Sequence, residues 1–459
     1  MPLARFLIVG LIFHSDSRYE KNSTMKAGSA SADITPNLGI IPQGHAGAGP
    51  AREILAPLEI RSIVFEDGEE SVAIVTLDLI GTSRDMTRRI RRRVREECGI
   101  PEHGILLASS HTHCAPPALD LMGPKPDPKY LLSVEDAVVD AVVSASSDLQ
   151  DVTLGCAGGS AGFNVNRRAV IDEPDGRRRI EMRANHGGIV DRRSRVMRVD
   201  KESGDPLAVL FHYSCHPTTM GGGAGYISPD YPGLARAGIE KELDCPALFL
   251  PGCFGNVRPR IVDKDGAFLS ATTEELRGVA KLLADSVIGT ARGLRTAHRR
   301  GLTGRIEDIT VPFGEPMPRP ELEEFATADS DDKVAALMRD WSRDVLSMIR
   351  EDRLPQSVSS EMQFLGIGPL AIVTIPGEPV QEIGHAIESL PPPGTCEETW
   401  PCGYSNDMLG YLCTARHHLE GGYEPTAYPY FMKPLPYLNE QTVLCEGAQT
   451  LLRIDEGQT

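Results

Sequence analysis

Short runs of consecutive apolar residues alternate along the chain with stretches whose apolar residues recur every three or four positions. Runs of the first kind are typical of strands that are buried on both faces. They occupy residues 72–80, 105–108, 207–213, 247–250 and 370–375. Because helical patterns lie between some of these runs, the sequence predicts a layered α/β fold with a mixed β-sheet core flanked by helices.

The clearest helical pattern follows the first apolar run, where Met86, Ile90 and Val94 recur four residues apart. Six arginines lie on the other faces of this helix, and we expect a solvated surface there rather than an anion site. Further helices are predicted at residues 134–147, 273–292, 321–349, 379–390 and 439–452. A β-hairpin is predicted at residues 170–182, with Pro174, Asp175 and Gly176 in its turn.

One large domain is predicted for residues 25–459, because no internal repeat or flexible linker interrupts the pattern. Residues 1–24 are expected to be a dispensable extension outside the fold. Their apolar run, residues 6–13, falls short of the ~20 residues that span a bilayer, so we expect no stable membrane insertion. No small-residue cleavage site follows closely, and secretion would require this segment to act as a signal.

Composition narrows the choice of partner and compartment. Lys and Arg number 47 against 64 Asp and Glu, for a net charge of −17, which argues against nucleic acid as a partner. The ten cysteines form no CxxC pair, and so many unpaired thiols favour a reducing compartment such as the cytoplasm. The expected partner is therefore a small-molecule or lipid-like substrate. The sequence does not determine the oligomeric state.

Metal-ligating side chains follow the ends of several predicted strands. His111 and His113 come after residues 105–108, His216 after residues 207–213 and Glu378 after residues 370–375. The carboxyl ends of strands form the functional edge of α/β sheets. A hydrolytic zinc site needs about three protein ligands and an open position for water, and His111, His216 and Glu378 supply that set.

Two other interpretations of the histidines stay open. In the first, the histidines cap their loops; in the second, His113 is a general base for a Cys114 nucleophile. The second is disfavoured because neighbouring residues of an extended segment point to opposite sides, whereas residues two apart point to the same side. On that argument His113 faces the space that His111 faces.

A series of short motifs then indicates a family. They are ADITP (32–36), SSHTHCAPP (109–117), NVNRR (164–168), HPTTM (216–220), ISPDYPG (227–233), PGCFGNVRP (251–259), PGEP (376–379) and SNDMLGYLCT (405–414), followed by GGYE (421–424). From about residue 27 onward the chain resembles the catalytic domain of the neutral (non-lysosomal) ceramidases. The resemblance implies a zinc-dependent amidohydrolase that cleaves an N-acyl amide bond.

The resemblance also implies roles for individual residues. It makes His111, His216 and Glu378 zinc ligands and adds Tyr411 as a fourth. It implies that His113, Arg167 and Tyr423 contact the scissile carbonyl and its oxyanion. Asn256 and Arg258, in the PGCFGNVRP segment, are placed at the substrate pocket.

The chain departs from the family in two respects. We expect it to lack the immunoglobulin-like C-terminal domain of ceramidases, and Arg258 stands where a serine is usual. An arginine suits an anionic or sugar-like substrate better than two lipid tails, so we expect a substrate smaller and more polar than ceramide. The alternatives are a zinc esterase or lactonase acting on a small polar or carbohydrate-derived metabolite, and a non-catalytic binding protein on the same scaffold.

Overall fold

The computed structural model describes residues 24–45, 48–221, 225–329 and 332–453. The strands are β1 (Lys26–Asp33), β2 (Glu53–Ile54), β3 (Glu59–Glu66), β4 (Ser71–Leu77), β5 (Ile105–Ser109), β6 (Gln150–Ser160), β7 (Asn164–Asp172), β8 (Arg178–Asn185), β9 (Arg193–Lys201), β10 (Pro206–Tyr213), β11 (Tyr226–Ile227), β12 (Ala247–Pro251), β13 (Val257–Pro259), β14 (Leu302–Pro312), β15 (Ser357–Ile367), β16 (Leu370–Thr374), β17 (Glu378–Pro379), β18 (Glu398–Cys402) and β19 (Tyr411–Leu412). The helices are α1 (Arg84–Cys98), α2 (Pro128–Ser147), α3 (Asp230–Leu243), α4 (Thr273–Gly293), α5 (Arg319–Thr327), α6 (Lys333–Arg350), α7 (Gln381–Glu388), α8 (Ala415–Glu420), α9 (Tyr423–Thr426) and α10 (Glu440–Leu452). Apart from Thr24, the expected N-terminal extension lies outside the described residues.

Two mixed sheets form the centre of the fold. The larger has eight strands in the order β12-β10-β9-β6-β1-β3-β4-β5, with parallel pairs at its two ends and antiparallel pairs between them. The smaller has the order β14-β15-β16-β18, in which β16 and β18 are parallel. The predicted α/β class with a mixed sheet core and flanking helices is confirmed.

The two sheets pack face to face, and helices cover their outer faces. Ile74 and Leu106 of the larger sheet pack with Ile372 and Trp400 of the smaller one. On the other side of the larger sheet, α1 and α2 cover one half and α3 and α4 cover the other, while α7 and α10 cover the smaller sheet. The result is a four-layer sandwich, and its central strands are continuously apolar because consecutive residues serve opposite buried faces.

The larger sheet is strongly curved. Strand β12 at one end of the strand order approaches β5 at the other end. Consequently the carboxyl ends of β5 and β10 meet, although five strands lie between them in the sheet order. This curvature brings the loops that follow these two strands to one place.

Helix α1 illustrates where the sequence pattern succeeded and where it failed. Met86, Ile90 and Val94 are buried, as their spacing predicts. The expectation of a solvated arginine face is wrong at Arg91, which is 2% exposed and ion-paired with buried Glu361 of β15. Arg91 is next to Ile90 on the helix and faces the sheet. The helical pattern had instead assigned it to the solvent-exposed side.

The predicted helix at residues 321–349 is two helices, α5 and α6. Asp332 caps the second one, since its carboxylate accepts a hydrogen bond from the backbone N–H of Ala335 at 2.9 Å. The predicted hairpin is confirmed by the antiparallel pair β7 and β8. In the part of the chain that the structure describes, no helix is long and apolar enough to cross a bilayer.

Candidate active site

Three histidine side chains converge where the ends of β5 and β10 meet. The Nε2 atom of His111 lies 3.1 Å from Nε2 of His216, and Nε2 of His113 lies 3.2 Å from both. All three side chains are buried. His111 has a left-handed backbone (φ 66°), a conformation that non-glycine residues rarely adopt and that here turns its ring toward the other two.

Each imidazole ring is oriented by a backbone carbonyl on its far side. A carbonyl oxygen only accepts hydrogen bonds, so each Nδ1 carries the hydrogen and each Nε2 presents a lone pair. These contacts join His111 Nδ1 to Ile80 O (2.5 Å), His113 Nδ1 to Gly44 O (3.0 Å) and His216 Nδ1 to Phe254 O (3.3 Å). Three lone pairs that face one another repel unless a cation lies between them, and a metal ion fits this arrangement.

A carboxylate completes the cluster. Glu378 Oε2 lies 3.4 Å from His111 Nε2 and 3.7 Å from His216 Nε2, and it is buried without a hydrogen-bond partner among the described residues. A buried, unpaired carboxylate oxygen is costly, and a cation would relieve that cost. Two imidazole nitrogens and a carboxylate are donors that suit zinc.

Strand pairing explains how Tyr411 comes to this site. The two-residue strands β17 and β19 are parallel, and Glu378 is the register partner of Tyr411. Their side chains therefore stand next to each other on one face. Burial raises the pKa of the Tyr411 phenol well above its usual range, the positive charge of Arg167 opposes that shift, and Glu378 adds to it.

Arg167, on β7, reaches the same space from another direction. It is 3% exposed, its Nε donates to Glu424 Oε1 at 2.8 Å, and its buried Nη2 has no partner among the residues described. The guanidinium carbon lies 5.3 Å from the ring centre of Tyr411 and 5.5 Å from that of Tyr423. Arg167 thus holds an unused buried donor, which is what an oxyanion contact requires.

Tyr423 forms the rim of the site, with 38% of its surface exposed. Its ring centre lies 5.5 Å from that of Tyr411. The next residue, Glu424, is buried and accepts hydrogen bonds from both Arg167 and Arg168. Although burial opposes ionisation, these two arginines lower the pKa of Glu424, and the carboxylate fixes the orientation of Arg167.

Asn256 and Arg258 occupy different environments. The Asn256 side chain is fully buried, donates to Glu382 Oε2 at 2.8 Å and accepts from the backbone N–H of Gln381 at 2.9 Å. This geometry favours a role in holding the start of α7 over direct contact with a substrate. Arg258 is partly buried, its Nε donates to Thr218 Oγ1 at 3.1 Å, and it faces the loop that carries His216.

Two residues at the site escaped the sequence reasoning. Tyr404 is fully buried between His111 and Phe254, at ring distances of 4.4 and 4.1 Å, and its hydroxyl has no partner in the described part of the chain. Gly44 has φ +102°, and a Cβ there would lie 2.4 Å from His113 Nδ1. The sequence offered only their positions as a clue. Tyr404 directly precedes the SNDMLGYLCT motif, and Gly44 directly precedes a histidine, His45.

The alternative in which Cys114 acts as nucleophile finds no geometric support. Cys114 packs in the apolar cluster beneath α3 and α4, among residues such as Phe163 and Tyr231. Burial, together with the charge of Asp230, raises the pKa of its thiol and so opposes thiolate formation. All ten cysteines are free in the structure.

Comparisons with known proteins identify similar chains and a similar family. A model of the family described as neutral/alkaline non-lysosomal ceramidase, N-terminal, matches residues 26–248. Neutral ceramidases A and B of Dictyostelium discoideum are each 26% identical to this chain, over 205 and 162 residues. The matched segments cover 42% and 33% of this chain but only 28% and 22% of those relatives.

Solved structures share the fold. The neutral ceramidase from Pseudomonas aeruginosa superposes with a TM-score of 0.69 at 17% identity, covering 94% of this chain and 75% of that one. A ceramidase complexed with C2 gives 0.66 at 16% identity, with the same coverage. Residues 26–248, which carry His111, His113 and His216, match the neutral/alkaline non-lysosomal ceramidase family, and this part of the chain is similar to the N-terminal domain of that family.

Proposed function

We propose that this protein is a zinc-dependent hydrolase that cleaves an N-acyl amide bond. The observation that carries the proposal is the meeting of three imidazole lone pairs with the unpaired carboxylate oxygen of Glu378. The proposed ligands are His111, His216, Glu378 and Tyr411, and the last is supported by its register with Glu378. When bound, zinc supplies a water of lowered pKa and polarises the scissile carbonyl.

The surrounding side chains provide the rest of the chemistry. The free Nη2 of Arg167 and the hydroxyl of Tyr423 are proposed to donate to the oxyanion that forms when water adds to the acyl carbon. One well-placed donor of this kind is worth about 3–4 kcal/mol of transition-state stabilisation. Glu424 holds Arg167 in place for that contact.

His113 is proposed to move a proton. Its Nδ1 faces the carbonyl of Gly44, so Nε2 is the atom free to accept a proton from the attacking water and to deliver it to the leaving nitrogen. Burial, with the charges of neighbouring groups, lowers the pKa of His113 well below its usual range, so the ring is neutral at the start of the reaction.

The substrate is proposed to be an amide smaller and more polar than long-chain ceramide. A cavity of about 630 Å³ opens beside Tyr423, and its lining includes the apolar residues Met317, Phe325 and Met338, which suits an acyl chain. Arg258 disfavours a second lipid tail, because an unpaired guanidinium against acyl chains costs several kcal/mol.

Metal analysis and a substrate panel test the proposal. We expect about one zinc per chain, lost in His216→Ala and kept in the control His298→Ala, whose histidine is 61% exposed. The panel pairs a short amide with the matching ester and includes a long-chain ceramide. Undiminished zinc in His216→Ala contradicts the metal assignment, preferred ester cleavage favours the esterase alternative, and efficient ceramide cleavage contradicts the smaller substrate.

A further inference from the structure

Arg258 is held at the edge of the site by the loop that carries His216. Its strand, β13, pairs with β7, the strand of Arg167, and Arg258 is the register partner of Val165. Nε and Nη2 of Arg258 donate to the side chain and the carbonyl of Thr218, each at 3.1 Å. The guanidinium carbon lies 4.7 Å from the ring centre of Phe268. These contacts fix the guanidinium plane.

The positive charge of Arg258 is not neutralised within the described residues. No carboxylate oxygen lies within 4 Å of it there, whereas Arg167 has Glu424. The carboxylate that acts on it most, Asp230, uses one oxygen to accept the backbone N–H groups of Thr219 and Met220 at 3.1 and 3.3 Å. Burial, together with the charge of Arg167, lowers the pKa of Arg258 to about 10, so it remains protonated at neutral pH.

One nitrogen of Arg258 is left without a strong acceptor. Nη1 has the sulfur of Met182 at 4.0 Å, and a thioether is a weak acceptor. His45 cannot neutralise this cation, because a histidine carries no negative charge. Burial, together with the charge of Arg258, lowers the pKa of His45 to about 4. A fixed, partly desolvated cation with a free donor is the arrangement that recognises an oxyanion.

We propose that Arg258 binds an anionic group of the substrate, a carboxylate, sulfonate or phosphate carried by the same molecule as the scissile amide. The inference rests on the proposed amide hydrolysis and deepens it. The preferred substrate is then an acylated, negatively charged amine. Its acyl chain would occupy the cavity beside Tyr423, and its charged group would bind Arg258.

Matched amides test this subsite. The anionic members are N-hexanoyl-β-alanine, N-hexanoyltaurine and the phosphate ester of N-hexanoylethanolamine, and the neutral member is N-hexanoylethanolamine. We expect kcat/KM to favour the anionic members by about 10–100-fold, the value of a charge-assisted hydrogen bond. Arg258→Ser should abolish that preference, and Arg258→Lys should keep part of it. The sulfonate is a weak metal ligand, so its preference would not come from zinc.

Arg260→Ser is the control, because Arg260 is exposed, lies two residues further on and carries the same charge. A preference for anions that survives in Arg258→Ser, or that is lost equally in Arg260→Ser, overturns the proposal. Calorimetric titration with the ketone analogue of N-hexanoyltaurine, in which a methylene replaces the amide nitrogen, measures binding without turnover. A dissociation constant weakened about 10-fold in Arg258→Ser supports the subsite even if no amide is cleaved, in which case the proposed hydrolysis alone fails.

Discussion

The position of His113 raises the question of whether it binds the metal or acts on the substrate. Its Nε2 is as close to His111 as to His216, and the three together form the group of potential metal ligands found among the described residues. The family resemblance gives it the second role, as a contact of the scissile carbonyl. Both roles use the same nitrogen, so geometry is compatible with each.

A single substitution separates the two roles. We expect His113→Ala to keep its zinc and to lose roughly 100-fold or more in turnover, because a donor to the transition state is removed. Elemental analysis and kcat are measured on the same preparation, with His298→Ala as the reference. Loss of zinc together with activity would make His113 a ligand and would contradict its assignment as a contact of the scissile carbonyl.

At the scale of residues, the sequence predicted those members of the site that follow recognisable strands. His111, His216 and Glu378 were identified because apolar runs precede them. Tyr411 required the family resemblance, since a two-residue strand such as β19 leaves no periodic pattern. Tyr404 and Gly44 carry no signal of this kind, because their importance lies in contacts with residues far away in the chain.

At the scale of elements, α1 shows how a buried charge escapes a hydrophobic pattern. Arg91 bonds to Glu361, to the Gln363 side chain at 3.1 Å and to the carbonyl of Ile105 at 2.9 Å. It thereby ties α1 to β15 and to the start of β5, the strand that leads to His111. The spacing of apolar residues identifies only a helix face that packs against apolar partners. A face that is buried against a carboxylate carries charged residues and therefore resembles a solvent-exposed face.

This ion pair makes a stability prediction within one helix. We expect Arg91→Ala to lower the free energy of unfolding by about 3–5 kcal/mol, because it leaves Glu361 buried without its partner. Arg92→Ala, at the exposed neighbouring position, should change it by less than about 0.5 kcal/mol. Urea unfolding at neutral pH measures both variants. Equal, small effects would show that Arg91 contributes no more than a surface arginine.

At the scale of the whole molecule, the layered α/β class followed from apolar runs that are buried on both faces. The stacking of two separate sheets did not, because the pairing of distant strands depends on contacts that spacing along the chain does not encode. The same holds for the curvature of the larger sheet, which brings β12 and β5 together. That curvature brings His111 and His216, which follow strands toward opposite ends of one sheet, to the same place.

The metal should therefore stabilise the whole fold as well as the site. His111 follows β5 and His216 follows β10, toward opposite ends of the larger sheet, while Glu378 follows β16 and Tyr411 follows β18 of the smaller one. A bound ion joins these parts, and unfolding must release it. With zinc a thousandfold above its Kd, linkage adds about 4 kcal/mol to the free energy of unfolding.

We expect removal of zinc by a chelator to lower the melting temperature by several degrees and re-addition to restore it. The chelator is removed before zinc is returned, and scanning calorimetry follows each step. His216→Ala supplies the control, because it should melt at the same temperature with and without zinc, whereas His298→Ala should respond as the unmodified protein does. If the unmodified protein binds zinc stoichiometrically but its melting temperature does not change, then the unfolded chain binds zinc as tightly as the folded site does, and the ion does not hold the two ends of the sheet together.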